Sequence, residues 1–450
     1  MNQFESAPLD RARSARPSRA LWIPLIWLFI AGSRPLSAWF NRGAGDLSDR
    51  NYDGSPVDRA IFIALIVMAL VVLISRRRKL AALLRENIPI LIFLIYCCLS
   101  ISWSDFPDIA FKRWVRAIGD LSMVLVVLTD ASPSAAVKRL FAQLGFMLIP
   151  LSILFDTWRG RAGLGYHFGL TQNKNMFGAI SMILGLAAVW RYLVVLREKG
   201  SKGRAKALMS YACLILMSIW CVWTAGSTTA LVCFLLGSAL LIMSRWSLVR
   251  RPMVLHLIIA TAVFLAVYAA ILNPHLGVVE AMGKDPTLTG RTDVWQAVIQ
   301  LVPNRLLGAG FESYWLGSRL KELRSIFPWE INEAHNGYIE IYLNLGWAGA
   351  TLLAIVVLAG YRKIFAGLRQ NSSVITLYLA YLVVAVVYNL SEAGFRIFHP
   401  VGIVCFLSIV GAASEAQREN SRAAVTDPWL DSDVLVADSR TAAAISGDHL

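Results

Sequence analysis

Residues 207–244, ALMSYACLILMSIWCVWTAGSTTALVCFLLGSALLIMS, run for 38 positions without a charge. A helix needs about 20 apolar residues to cross about 30 Å of hydrocarbon. The run is too long for one span, and the small polar group near its middle, TAGSTT at 224–229, is where the chain is expected to turn back. One stretch therefore reads as two antiparallel membrane helices.

The same reading extends along the chain and gives twelve expected helices, at about 20–33, 59–75, 88–103, 115–129, 139–156, 176–193, 207–223, 227–244, 253–272, 337–359, 373–390 and 395–412. The fold class is all-α, a polytopic membrane bundle. Composition agrees: of 450 residues 57% are hydrophobic and 16% charged, with mean hydropathy +0.57. Soluble domains carry about 25% charged residues, so soluble enzyme folds are excluded, as is disorder for the body of the chain. The six cysteines all fall inside apolar runs and act as small hydrophobes.

The net charge is +14. In a soluble protein that excess would suggest nucleic acid, but here the basic residues sit mostly in short loops between apolar runs. With the N-terminus inside, the internal inside loops carry 19 Lys or Arg and the short outside loops 11. The asymmetry places both termini in the cytoplasm and predicts no nucleic-acid partner. Arg11, Arg13, Arg16 and Arg19 resemble a signal-peptide n-region, yet no small-residue cleavage site follows cleanly, so an uncleaved first span is expected.

Three regions lie outside the spans. Residues 1–19 form a cytoplasmic tail, and residues 413–450, polar and rich in Ala, Ser and Asp, are expected to be a disordered cytoplasmic tail. Within the transmembrane domain 20–412, residues 273–336 form one long connection on the outer face, with Trp295, Trp315 and Trp329 and both signs of charge. Long loops in compact proteins are functional or disordered, and the aromatic content argues against disorder.

Energy-coupling motifs fail on inspection. The 277–284 run resembles a phosphate loop, but its glycines are one residue too far apart and Asp285 stands where Ser or Thr is needed. Gly163, Gly165 and Gly169 miss the dinucleotide fingerprint by one residue. The Asp431 and Asp433 pair lies in the tail on the cytoplasmic side and reads as solvated charge. Neither metal nor nucleotide cofactor is expected, so a reaction on the outer face has to draw on an activated substrate.

His335 stands just before the tenth span in AHNGYIEIYLNLGWAG, with Glu340 five residues on. An imidazole with an ordinary pKa near 6.5 suits a general base at a membrane surface; the competing reading is an interfacial histidine bonded to a loop carbonyl. Arg291, in TGRTDVW, lies in the same long loop. Its planar guanidinium can grip diphosphate oxygens at two points, or pair with Asp293. In the loop 157–175, Arg159, Arg161 and Lys174 can extend a cationic surface or anchor headgroups, and His167 is a rival proton acceptor. Asp120, inside the fourth span, is a candidate because a carboxylate in lipid is costly. His256, His275 and His399 have no partner that sequence identifies.

These elements resemble the O-antigen ligase and Wzy-type polymerase superfamily, in particular its exopolysaccharide polymerase branch. The resemblance rests on the span number, the long outer loop before the tenth span, G-R-x-x-x-W at 290–295, Gly308-x-Gly310 and His335-Asn336. QNKNMFG at 172–178 and WSDFP at 103–107 add to it. It implies transfer of glycans from undecaprenyl diphosphate on the outer face of the bacterial inner membrane, with Arg291 binding diphosphate and His335 activating the acceptor hydroxyl. The implied partners are the lipid-linked oligosaccharide, membrane lipids and other polysaccharide export proteins. The ligase branch often carries a Ser-Arg element after the seventh span, where this chain has Ser227-Thr228. Either another basic residue such as Lys174 or Arg161 supplies that charge or the substrate sits differently, and the departure favours a polymerase over a ligase. A secondary transporter is the rival from another class, but the long loop between spans nine and ten leaves unequal halves. A non-catalytic assembly subunit is not excluded by sequence.

Overall fold

A computed structural model describes residues 17–39, 55–159, 167–198, 200, 203–246, 251–268, 288–327, 331–369 and 372–426. Among them every regular element is helical, the arrangement in which a lipid-embedded backbone satisfies its own hydrogen bonds. Besides the short turns Arg19–Leu21 and Leu36–Trp39, the helices are α1 (Trp22–Ala31), α2 (Pro56–Ser75), α3 (Arg77–Glu86), α4 (Ile88–Leu99), α5 (Pro107–Leu128), α6 (Pro133–Arg159), α7 (Lys174–Arg197) and α8 (Arg204–Thr224). They continue with α9 (Thr228–Met243), α10 (Pro252–Val267), α11 (Leu288–Gln300), α12 (Gly317–Ile326), α13 (Gly337–Leu368), α14 (Ser373–Tyr388) and α15 (Pro400–Thr426).

Each of the twelve expected spans falls on one of these helices. The 207–244 run folds into α8 and α9, with Gly226 (φ 61°) in the turn and the Ser227 hydroxyl accepting from the Ala230 amide to cap α9. Among the described residues five helices are long and apolar enough to cross a membrane: α2, α7, α8, α13 and the Pro133–Thr157 part of α6. The pair α3 and α4 (with its 3₁₀ extension to Trp103), bent by 88°, makes a sixth candidate, and α1, α9, α10, α14 and the start of α15 are shorter apolar helices.

Packing sorts them into centre and rim. The apolar window of α7 is 72% buried, against 22% in α8 and 28% in α2. Helix α7 packs on α6, α8 and α9, while α14, buried along most of its length, packs on α9, α13 and α15. The rim helices turn Val71, Ile74, Leu216 and Trp223 outward. Such continuous apolar faces are stable against lipid rather than water.

The long connection before α13 is folded in its described part. Helices α11 and α12 enclose a second core that includes Val298, Tyr314, Leu323 and Ala334, closed by Leu343 of α13. WSDFP docks this unit: Trp103 Nε1 donates to the Leu307 carbonyl, Ser104 Oγ donates to Ser313 Oγ at 2.7 Å, and Asp105 pairs with Arg319 at 2.7 Å.

Two glycines fix the unit on its span. Helix α13 breaks at Gly346 (φ 63°, ψ −166°), which frees backbone groups that need partners. The 305–310 segment supplies them: the Trp347 and Ala348 amides donate to Arg305 and Leu306, and the Ala309 and Gly310 amides donate to Leu343 and Asn344. A Cβ at Gly308 (φ 73°) would lie 2.4 Å from the Asn344 carbonyl carbon, and one at Gly346 would lie 2.2 Å from the Leu306 oxygen. Only glycine lets the two backbones cross this closely.

The final helix departs from the expected limits. Helix α15 begins at Pro400 rather than near 395, because the preceding turn folds over the head of α13, and it runs to Thr426, past Ala413. His275, Trp329, the 277–284 run and the Asp431 and Asp433 pair lie outside the described residues.

Candidate active site

Three segments converge at the N-terminal end of α13. Asn336 caps that helix, its Oδ1 accepting from the Tyr338 and Ile339 amides, while its Nδ2 donates to the Leu390 carbonyl. The Gly337 amide donates to the carbonyls of Asn389 and Glu392. The turn after α14 is thereby fastened to the cap of α13. His335, one residue outside the cap, has φ 50°, a conformation costing on the order of 1–3 kcal/mol in a non-glycine residue. Its neighbour Ala334 is clamped from both sides. The Ala334 amide donates to Glu340 Oε1 at 2.6 Å, and its carbonyl accepts from Trp295 Nε1 at 2.8 Å. Glu340 also accepts from Trp315 Nε1 at 2.8 Å, so this carboxylate orients the loop that carries the imidazole.

The spacing of G-R-x-x-x-W now has a geometric sense. Residues four apart share a helix face, so α11 presents Trp295 to Ala334 and Arg291 to the turn after α14. Arg291 Nη1 donates to the Ser391 carbonyl at 2.7 Å, and Nη2 lies 3.6 Å from Glu392 Oε1. From the other side His335 Nδ1 lies 3.5 Å from Glu392 Oε2 and 3.0 Å from Glu333 Oε1. Asn175, in the first turn of α7, donates to Glu392 Oε2 at 2.9 Å, and the Thr229 and Ser391 hydroxyls meet at 2.8 Å.

Charges alternate outward from this point. Arg396 Nη1 is 3.4 Å from Glu333 Oε2, and Arg396 Nε is 3.7 Å from Glu312 Oε2. Burial on its own would lower the pKa of His335, but the carboxylates of Glu333 and Glu392 outweigh it and hold the group up at about 9. Burial would raise Glu333, yet His335, Arg396 and His399 bring it down to about 2. Arg396 would be lowered by burial and is instead raised by Glu312, Glu340 and Glu333. At neutral pH the site therefore holds an imidazolium between two carboxylates. The Glu392 side chain is 7% exposed, whereas Arg291 keeps 27% and His335 39%, so the two cations face the solvent edge and the shared anion lies behind them.

Residues 212–354, which include both of those cations, match the family model described as O-antigen ligase. The resemblance to O-antigen ligases holds. Exopolysaccharide production protein ExoQ of Rhizobium meliloti (strain 1021) is 29% identical over 285 residues, covering 60% of this chain. The match spans 63% of that relative's length. Family model, relative and apolar helices together describe a multi-pass membrane protein similar in part to the O-antigen ligases and to an exopolysaccharide production protein.

In the structure the expected residues separate. Arg291 and His335 come together through Glu392. Lys174 opens α7 one residue before Asn175, at the same end of the bundle. Arg159 is the last residue of α6, described there by its backbone alone, and Arg161 lies outside the described residues. His167 is engaged elsewhere, with Nδ1 3.3 Å from Asp156 and its ring against Trp220. Asp120 accepts from Trp27 Nε1 and from the Phe398 amide, both at 2.8 Å, which ties α1 and α5 to the turn before α15. His399 accepts from the Val401 amide, and burial takes it down to about 4. His256 packs on Tyr361 and Phe365.

Four groups escaped the sequence reading: Glu333, Glu392, Arg396 and Asn175. The available signals were the polar interruption SEAGFR at 391–396 between two apolar runs, which holds Glu392 and Arg396, and the QNKNMFG stretch, which holds Asn175. Among the described residues Glu333, His335 and Glu392 also bring one ligand atom each within 4.8 Å of one another, a spacing that could hold a metal ion. Arg291 and Arg396 already stand at 3.6 and 3.4 Å from those two carboxylates, so the protein's own cations occupy the favourable positions around them.

Proposed function

We propose that the protein polymerises undecaprenyl-diphosphate-linked oligosaccharide repeat units into exopolysaccharide on the periplasmic face of the bacterial inner membrane. In this reading the chain crosses the membrane twelve times with both termini in the cytoplasm, and the unit built on α11 and α12 lies outside. The observation that carries it is that Arg291 and His335, both inside the segment that matches the O-antigen ligases, meet on Glu392, which lies beyond that segment.

The acceptor hydroxyl loses its proton to His335 Nε2 while its oxygen bonds to the anomeric carbon of the donor. The bond from that carbon to the diphosphate oxygen breaks, and undecaprenyl diphosphate leaves with the electron pair. Direct displacement inverts the anomeric centre. Nδ1 lies within ion-pair distance of Glu333 and Glu392, without hydrogen-bond geometry to either, and in this reading Nε2 is the nitrogen that meets substrate. Arg291 grips the departing diphosphate, helped by Lys174, Arg159 or Arg161. No nucleotide or metal enters the reaction, since the donor is already activated. A pKa of about 9 makes His335 a strong but scarce base: at pH 7, about one molecule in a hundred has the neutral ring. Membrane lipids surround the site, and other polysaccharide export proteins are its partners in the pathway.

A ligase that moves finished glycan to another acceptor is the second reading, favoured by the description of the matching family. Product analysis separates the two. Purified protein in liposomes, given undecaprenyl-diphosphate oligosaccharide alone, yields a ladder of repeats if it is a polymerase. Transfer in a single block, and only when a lipid acceptor is added, identifies a ligase, and no glycan product at all overturns both.

A further inference from the structure

A cavity with no part in this chemistry lies at the other end of the same helices. It occupies about 540 Å³ between the C-terminal ends of α7, α9 and α13 and the N-terminal ends of α10 and α14. Helix α7 begins beside the candidate active site at Asn175 and ends at this cavity with Arg197. Its 24 residues separate the two by about 36 Å, the full thickness of a membrane domain.

The lining is divided by chemistry. The wall toward the bundle interior is apolar, built from Trp190, Leu193, Leu241, Leu255 and Phe365. The rim carries Arg197, Arg245 and Arg369, each at the end of a different helix, with Ser373 and Thr376 between them. Among the described lining residues Glu198 is the one acid, and at the start of α14 the Ser372 hydroxyl donates to Glu415 of α15 at 2.9 Å. Two helices point their positive ends into the same space: α14 and α10 both start there, and neither has a side-chain cap on its first amides among the described residues. Helix N-termini and arginines together attract an anion, and phosphate oxygens suit both.

We propose that this cavity binds an anionic phospholipid from the leaflet opposite the candidate active site. The phosphate sits among Arg197, Arg245, Arg369 and the start of α14, and an acyl chain lies along Trp190, Leu241 and Phe365. A free phosphate would leave the apolar wall uncovered. A zwitterionic lipid would bring a positive headgroup to a rim with three arginines. Basic pockets between membrane helices are suited to anionic headgroups. This inference is independent of the reaction proposed above.

The test uses the full chain purified in neutral detergent, with lipid binding followed by native mass spectrometry and by thermal unfolding. Wild type is expected to retain and be stabilised by phosphatidylglycerol or cardiolipin, and not by phosphatidylcholine or inorganic phosphate. The triple variant R197Q/R245Q/R369Q is expected to bind the anionic lipid about a hundredfold more weakly. Should the triple variant fail to fold, Arg245→Gln and Arg369→Gln measured singly are each expected to weaken binding about fivefold. Equal stabilisation by phosphatidylcholine, equal protection by phosphate alone, or undiminished binding in these variants would overturn the proposal.

Discussion

His335 and Arg291 reach opposite oxygens of one carboxylate. Nδ1 of the first lies 3.5 Å from Glu392 Oε2, and Nη2 of the second lies 3.6 Å from Glu392 Oε1. Two like charges are held side by side because a buried anion sits between them. Replacing Glu392 by Gln keeps the shape but removes that charge, and the cations are then free to move apart. A displacement of about 1 Å at a reacting group can cost about a hundredfold in rate. The E392Q variant is therefore expected to fold and to lose about that much turnover, measured as repeat units joined per minute in liposomes.

The charge on His335 sets a pH dependence. Its folded pKa, about 9, lies above the ordinary 6.5, so its contribution to stability is full below 6.5 and is lost as pH rises through 9. Glu333, lowered to about 2, contributes above its ordinary 4.5 and loses its contribution as pH falls through 2. The pair is thus fully stabilising between about 4.5 and 6.5. Catalysis needs the opposite form of the imidazole. The rate is expected to climb from pH 7 toward 9, and Glu333→Gln, which removes the nearest carboxylate, is expected to shift the rising limb to lower pH. A limb that stays in place in E333Q would separate it from His335.

Chelation tests the cluster of Glu333, His335 and Glu392 from another direction. With Arg291 and Arg396 neutralising the carboxylates, polymerisation is expected to continue unchanged in excess EDTA. Activity lost on chelation and restored by a divalent cation would identify the three groups as ligands.

The crossing of 305–310 over α13 predicts a structural phenotype. Gly308→Ala forces a left-handed residue and a Cβ into the Asn344 backbone, with a penalty of at least about 1–3 kcal/mol for the conformation alone. A lowered unfolding temperature in detergent, with activity lost in parallel, is the expected result. Wild-type stability would mean that the unit built on α11 and α12 docks by its side chains alone.

Much of this was readable in the chain because lipid imposes simple rules. An uncharged run of 38 residues with TAGSTT in its middle can hardly be anything but two helices, and α8 and α9 follow it closely. Arg291, Trp295 and His335 were visible as residue types at useful spacings. Glu392 was not, because its role exists only once the turn after α14 folds onto the cap of α13, and nothing local in SEAGFR announces that meeting. Arg396 was hidden for the same reason, since it gains Glu312 and Glu333 from distant segments, while Glu333 pairs with His335 two residues on only because of the turn at His335. The Gly308-x-Gly310 element was visible, but its function required the break at Gly346, a glycine set in an otherwise continuous apolar helix. His167 and Asp120 were credible candidates whose partners, Asp156 in one case and Trp27 with Phe398 in the other, place them in support of the fold.

The central claim is that His335 takes the acceptor proton, and the most direct measurement is single-turnover glycan transfer by purified His335→Ala protein from undecaprenyl-diphosphate oligosaccharide. Loss of a general base predicts a rate lower by about 10²- to 10⁴-fold with donor binding retained through Arg291. Transfer at the wild-type rate would contradict the account.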